Sequence, residues 1–159
     1  MPGDSLTLQG VPWELVLRMA VAALLGGLVG VEREYSGHSA GLRTNILVAV
    51  GACLFTVISI EGFPSTNVSD PARVAAQIVS GIGFLGAGAV FRDGNRVRGL
   101  TTAATIWLVA AMGMAVGAGL YDLAVAAVVM TLTVLVVLAP LSAALGRRRD
   151  EREARERQR

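Results

Sequence analysis

Hydrophobic residues fill five long stretches of the chain, and polar residues are concentrated in the segments between them. The apolar stretches run at about 13–31, 44–60, 72–91, 100–120 and 123–145. Each is close to the ~20 residues that an α-helix needs to cross the hydrocarbon core of a bilayer. The pattern predicts an all-α, polytopic membrane domain over residues 1–145, with five transmembrane helices, followed by a basic tail over residues 146–159.

The composition agrees with a membrane protein. Hydrophobic residues make up 53% of the chain and charged residues 16%, with a mean hydropathy of +0.60. The first basic residue, Arg18, lies inside the first apolar stretch, so we expect a permanent span and not a cleaved signal peptide. A single cysteine, Cys53, excludes an intramolecular disulfide and a cysteine-based metal site.

The placement of arginine predicts the orientation. With five spans, the loops at 32–43 and 92–98 and the C-terminal tail lie on one side of the membrane. These three segments hold twelve of the 14 basic residues, all of which are Arg. Because basic loops stay in the cytoplasm, we expect the N-terminus outside and the C-terminus inside.

Short local signals predict where helices begin, where the chain turns and which helix faces make close contacts. Glu14 can pair with Arg18 one helical turn later. Gly26, Gly27 and Gly30 form a small face for close helix contact. Asp70 followed by Pro71 is typical of a helix start, and Asp93-Gly94 indicates a tight turn.

The third apolar stretch is unusual because it holds four glycines. In water, each would cost a helix about 1 kcal/mol relative to alanine, so we expect close helix packing to offset that cost. At about 100° per residue, the glycines fall on two opposed faces, which predicts a helix packed between two neighbours. These helix-packing glycines are Gly81, Gly83, Gly86 and Gly88.

An intramembrane polar stripe, Arg73, Gln77 and Ser80, follows one face of the same helix. Its polar groups could hydrogen-bond another helix or line a pore or pocket, and the sequence leaves both alternatives open. The GxGxxG spacing at Gly81 is not a dinucleotide loop. It lies inside an apolar span, and no acidic residue occurs between Gly94 and Asp122.

Charged and hydroxyl side chains collect at the predicted cytoplasmic ends of the spans. Opposite charges there could lock helix ends together, or bind a phosphate, a lipid headgroup or an acidic partner segment. We call this set the inner-rim cluster: Glu32, Arg33, Glu34, Arg43, Thr44, Arg92, Asp93, Arg98, Thr101 and Thr102.

Neither metal binding nor catalysis has a clear signature. Apart from the tail, the carboxylates lie near the ends of the apolar stretches, whereas ion-coupled transporters usually keep theirs at mid-span. That placement argues against an autonomous ion carrier, although backbone carbonyls can also conduct ions. No nucleophile–base pair, zinc site or nucleotide loop is evident, so we expect a protein that is not an enzyme and needs no cofactor.

Four segments carry a family resemblance: GLVGVERE (27–34), AGLRTNILVAVGACLF (40–55), DPARVAAQIVSGIGFLGAGAVFRDGNRVRGLTTAATIW (70–107) and AAMGMAVGAGLY (110–121). The chain resembles the MgtC/SapB family of bacterial inner-membrane proteins, in its short form without a soluble C-terminal domain. The resemblance implies a five-span domain and a role in magnesium homeostasis, with virulence or intracellular survival as a further role. It also implies a membrane partner such as the ATP synthase. A homo-oligomer, and a small magnesium or other cation transporter or channel, remain alternatives.

Overall fold

The computed structural model describes residues 12–62, 70–94 and 96–157. This part of the chain contains five helices and one antiparallel hairpin. They are α1 (Trp13–Tyr35), α2 (Leu42–Glu61), α3 (Pro71–Gly88), β1 (Phe91–Asp93), β2 (Arg96–Arg98), α4 (Leu100–Gly117) and α5 (Tyr121–Arg157).

Four helical segments have the length and composition to cross a membrane. They are α1, α2, α4 and the Tyr121–Ala139 part of α5, whereas α3 is a shorter apolar helix. The helical membrane protein expected from the sequence is therefore confirmed, with a two-stranded hairpin in addition. The apolar helices fit the bilayer because their backbone hydrogen bonds are satisfied within each helix.

Helix α2 is the centre of the bundle, between α1 and α4. On one side, a Cβ added at Gly26 would lie 2.6 Å from the Cβ of Ala49, and one added at Gly30 would lie 2.8 Å from the Cα of Leu42. On the other side, a Cβ at Gly113 would overlap the carbonyl oxygen of Ala49. Glycines on both neighbours thus let three helices approach backbone to backbone.

Helix α3 begins as predicted but is less enclosed than predicted. The Asp70 carboxylate accepts a hydrogen bond from the backbone N–H of Ala72 (2.9 Å), and Pro71 is the first helical residue. A Cβ added at Gly81, Gly83 or Gly88 would meet no other atom within 4 Å. The prediction that glycines pack α3 closely on two opposed faces is therefore wrong for a single chain, and α2 is the helix that is closely packed on both sides.

The α3–α4 connection is a β-hairpin that reverses the direction of the chain. Phe91 pairs with Arg98 and Asp93 with Arg96, and Gly94 turns with φ 61°. Gly99 precedes α4 with φ 88°, and any Cβ there would overlap the carbonyl oxygen of Ala89. This pairing explains why α3 ends at Gly88, three residues before the predicted limit of 91.

Helix α5 is longer than the predicted fifth span. It continues past Pro140 to Arg157, so most of the segment assigned to a basic tail is helical in backbone. The last two residues, 158 and 159, lie outside the described part of the chain. The described core lies mainly among α1, α2 and α4, where Val29, Cys53, Val109, Met112 and Val116 are fully buried.

Candidate functional site

The first half of the inner-rim cluster is an ordered junction between α1 and α2. Arg33 is only 3% exposed, and its Nε donates a hydrogen bond to Glu32, which also accepts one from the hydroxyl of Ser36 (2.8 Å). A buried arginine needs such a partner because burial of an unpaired charge is costly. Arg33 therefore stabilises the end of α1 and offers little surface to a ligand.

Glu34 caps the start of α2 from eight residues away. Its Oε2 accepts a hydrogen bond from the backbone N–H of Leu42 (2.9 Å). The N-cap position itself, Gly41, has no side chain to offer, and a Cβ there would overlap the Glu34 carboxylate. A negative charge at a helix N-terminus also interacts favourably with the helix dipole. Glu34 and Gly41 thus form one structural unit.

Asn45 is a buried polar residue that the sequence interpretation overlooked. It is 0% exposed, and its Nδ2 donates to the carbonyl oxygens of Ala40 and Gly41, both at 2.8 Å. Its Oδ1 has no hydrogen-bond partner in the described structure. The available signal was an amide inside an otherwise apolar run, where it has to find a partner.

The second half of the cluster lies on the hairpin and is open to solvent or headgroups. Arg98 pairs with Asp93 at 3.2 Å, and both side chains are 62% exposed. The Nε of Arg92 donates to the carbonyl oxygen of Gly94 (2.9 Å). Exposed pairs of this kind contribute about 0–1 kcal/mol to stability, so these charges remain available for contacts outside the chain.

The two halves of the inner-rim cluster are not joined directly. Within the described residues, no hydrogen bond or ion pair links the α1–α2 junction to the hairpin. Arg43, Thr44 and Thr101 are exposed, whereas Thr102 is buried in α4. The cluster therefore consists of a structural junction and a separate exposed hairpin.

The polar stripe on α3 is exposed along its whole length. Arg73, Gln77 and Ser80 are all exposed. Of the four predicted packing glycines, Gly86 alone is close to a neighbouring helix, where an added Cβ would lie 3.6 Å from the Cβ of Ala103. Arg73 and Ser80 therefore face the surroundings of the bundle, whereas Gln77 lies at the edge of a groove between α2 and α3.

A groove between α2 and α3 has a volume of about 570 Å³. Its lining is apolar except for Thr44, near the start of α2, and Gln77. That volume is within the range of small-ligand sites, about 300–1,000 Å³. Its chemistry suits an apolar group with one or two hydrogen-bonding atoms.

At the other end of the bundle, Arg18 connects α1 to α4. Its Nη2 pairs with Glu14 at 2.6 Å, as the i,i+4 spacing predicted, and its Nη1 donates to the carbonyl oxygen of Gly117 (2.8 Å). A guanidinium at the C-terminus of a helix satisfies a free carbonyl and complements the helix dipole. Arg18 therefore ties the start of α1 to the end of α4.

Metal ligands do not converge in the part of the chain that the structure describes. No group of three His, Cys, Asp or Glu side chains there has the arrangement of a metal site. The described carboxylates before α5 are in the first or last turns of helices, in their caps or on the hairpin.

Apolar helices of spanning length, packed through glycines, define a helical membrane protein. Residues 19–144 match the family model described as "MgtC family". This chain belongs to the MgtC family. No solved structure matches the chain.

Relatives of the chain are found in several bacteria. "Protein MgtC" of Brucella abortus (strain 2308) is 55% identical over 123 residues, which are 77% of this chain and 50% of the relative. "Protein MgtC" of Salmonella typhimurium is 48% identical over 77% of this chain and 52% of the relative. "Putative magnesium transporter YhiD" of Escherichia coli (strain K12) is 44% identical over 81% of this chain and 62% of the relative. The matched region thus spans half to three-fifths of these relatives.

Proposed function

We propose that this chain is a non-enzymatic protein of the bacterial inner membrane that supports growth at low magnesium by contact with a membrane partner. In this proposal α3 is a fifth span, the N-terminus is outside and the C-terminus is inside. Membership of the MgtC family and the magnesium-related name of the Escherichia coli relative support the magnesium role. Family resemblance makes the ATP synthase the first partner to test, and virulence a role to test in a pathogenic host.

The observation that carries the proposal is the contrast between a closely packed core, formed by α1, α2 and α4, and an exposed edge, formed by the hairpin and α3. Glycine-mediated contacts of α2 with α1 and α4 bury the centre of the bundle. The hairpin carries exposed charges, and α3 carries exposed glycines. Contact with a partner at this edge needs no ion path through the closed core, and exposed arginines suit an acidic surface.

Deletion and complementation across magnesium concentrations test this role. We expect the deletion strain to grow poorly at limiting magnesium and normally when magnesium is replete, with the wild-type gene restoring growth. A double variant, Arg92→Ala with Arg98→Ala, should restore growth less well because the exposed hairpin loses its charge. Arg73→Ala, which removes an exposed arginine at the opposite end of α3, is the control. A deletion with no magnesium-dependent growth defect would overturn the proposal.

Co-purification after crosslinking in native membranes tests the partner. ATP synthase subunits should be recovered with the wild-type chain and with Arg73→Ala, and less with the hairpin double variant. Recording membrane potential in the same strains would show whether the contact alters proton flow. Equal recovery of the synthase with the wild-type chain and with the hairpin double variant would exclude the hairpin charges as the site of contact.

The alternative function is a small magnesium or other cation transporter. The name of the Escherichia coli relative favours it, and Gln77 and Ser80 are polar side chains on the proposed span α3. Purified protein in liposomes should then carry magnesium, and Gln77→Leu or Ser80→Ala should change the flux. Flux no greater than that of empty liposomes would exclude this alternative.

A further inference from the structure

One face of α3, beside the α2–α3 groove, is exposed in the part of the chain that the structure describes. Gln77, Gly81, Phe84 and Gly88 recur at intervals of four, three and four residues, so they form a single seam along the helix. All four are exposed, and Phe84 is 81% exposed. Among the described residues, no hydrogen bond involves the Gln77 side chain, and Cβ atoms at Gly81 and Gly88 would meet nothing within 4 Å.

Contact with lipid alone would leave the polar group of this seam without a hydrogen-bond partner. Acyl chains cannot hydrogen-bond the amide of Gln77, which lies six residues after the first residue of α3. Interfaces between membrane helices are enriched in small residues, because these let the backbones approach, and in polar residues that bond across the contact. The seam combines both features on one face.

We propose that two copies of this chain associate through α3, with the two helices parallel and related by a two-fold axis along the membrane normal. The inference rests on the five-span arrangement proposed above and not on the magnesium role. Two copies inserted in the same orientation present parallel helices, and the axis places each residue of the seam opposite its own counterpart.

The chemistry of the seam favours a second copy over a different protein. The Gln77 amide carries both donors and an acceptor, so two such amides satisfy each other. Gly81 and Gly88 leave space about one turn before and one turn after Phe84, so the two Phe84 rings, which meet across the axis, can tilt into that space. The four-three-four spacing is that of helices that pack at a shallow left-handed angle. Arg73 lies two residues after the start of α3, near the water interface, where charge repulsion between copies is screened.

Disulfide crosslinking in native membranes tests this seam. Cys53 is the only cysteine, so Cys53→Ala gives a background for single cysteines. We expect Gly81→Cys, Phe84→Cys and Gly88→Cys to form covalent dimers on oxidation. Gly83→Cys is the matched control, because Gly83 has equally open surroundings but lies about 120° around the helix from Gln77. Val129→Cys, on the exposed surface of α5, controls for random collision.

A second substitution separates the polar contact from simple proximity. Gln77→Leu in the Gly81→Cys background should lower the dimer yield about fivefold, the order expected for one lost hydrogen bond between membrane helices. Equal membrane levels of the two proteins would show that folding is unchanged. An unchanged dimer yield in this variant would overturn the Gln77 pairing.

The remaining outcomes also decide the proposal. Equal crosslinking at Gly83 and Gly81, products of a different mass, or no dimer at any seam position would overturn it. Labelling of Gly81→Cys by a water-soluble maleimide would overturn the five-span arrangement and the inference together. None of these results depends on growth at low magnesium, so failure of the two proposals can be told apart.

Discussion

Within the helices glycine has two different roles, and the neighbouring atoms decide between them. A Cβ added at Gly113 would overlap the Ala49 carbonyl oxygen, and one added at Gly117 would lie 2.7 Å from the Cys53 carbonyl oxygen. These glycines hold α4 against α2. At Gly83 the same added atom would meet nothing within 4 Å. The first kind of glycine sets the helix spacing, whereas the second leaves a surface open.

This difference predicts opposite effects of the same substitution. Gly113→Ala should lower the stability of the folded protein by about 1–3 kcal/mol, because the new methyl group forces α2 and α4 apart. Gly83→Ala should raise stability by up to about 1 kcal/mol, since alanine is the better helix former and the site has room. Thermal unfolding in detergent measures both. Similar melting temperatures for the two variants would contradict the packing described here.

The Glu34 cap predicts a second effect at the residue scale. Glu34→Ala should destabilise the protein by about 1 kcal/mol, because the backbone N–H of Leu42 loses its acceptor and the N-terminus of α2 loses a favourable charge. Glu61→Ala, at the C-terminal end of the same helix, is the control and should be neutral or slightly stabilising. The comparison uses thermal unfolding at fixed detergent and salt. A larger loss at Glu61 than at Glu34 would rule out the cap.

At the scale of elements, periodicity predicted the helices but not their neighbours. The Asp70-Pro71 start, the Asp93-Gly94 turn and the small face of α1 follow from local chemistry, and the structure confirms them. The central position of α2 does not follow from sequence. A glycine pattern gives the directions in which a helix can be approached, and it cannot say which helices occupy them. For that reason α3 was predicted to be enclosed.

The uneven packing predicts uneven local stability. In α3 few side chains are buried, Ile78 among them, whereas α2 buries six residues, including Asn45, Ala49 and Cys53. Elements with few buried contacts open more readily than the core. In the monomeric fraction of detergent-solubilised protein, backbone amides of α3 should exchange with deuterium faster than those of α2. Equal exchange in the two helices would be evidence against a peripheral α3.

For the whole molecule, sequence located the charged residues of the candidate site but not their partners. Glu32 and Arg33 were grouped with the hairpin charges in the inner-rim cluster, yet they pair with each other at the end of α1. The partner of Glu34 is a backbone group, which no pattern of charges reveals. Asn45 was missed because one amide in an apolar run gives no hint of the carbonyls that it bonds.

The proposed orientation makes a prediction for the whole molecule. In the Cys53→Ala background, Glu61→Cys and Leu120→Cys should react with a membrane-impermeant maleimide added to spheroplasts, whose inner membrane is intact. Ser39→Cys and Val97→Cys should react only after the inner membrane is opened, since they lie at the opposite, arginine-rich end. Reaction of all four from outside, or the reverse pattern, would refute the orientation.

The length of α5 has a geometric consequence for whatever lies beyond the membrane. Its candidate span, Tyr121–Ala139, is about 28 Å long, and the helix from Pro140 to Arg157 extends about 27 Å further. A continuous helix of that length sets both the distance from the membrane and the direction around the helix axis of any group attached near its end. Inserting one residue after Ala139 would turn such a group by about 100° around the helix axis. Inserting seven residues would nearly restore its original direction but place it farther from the membrane.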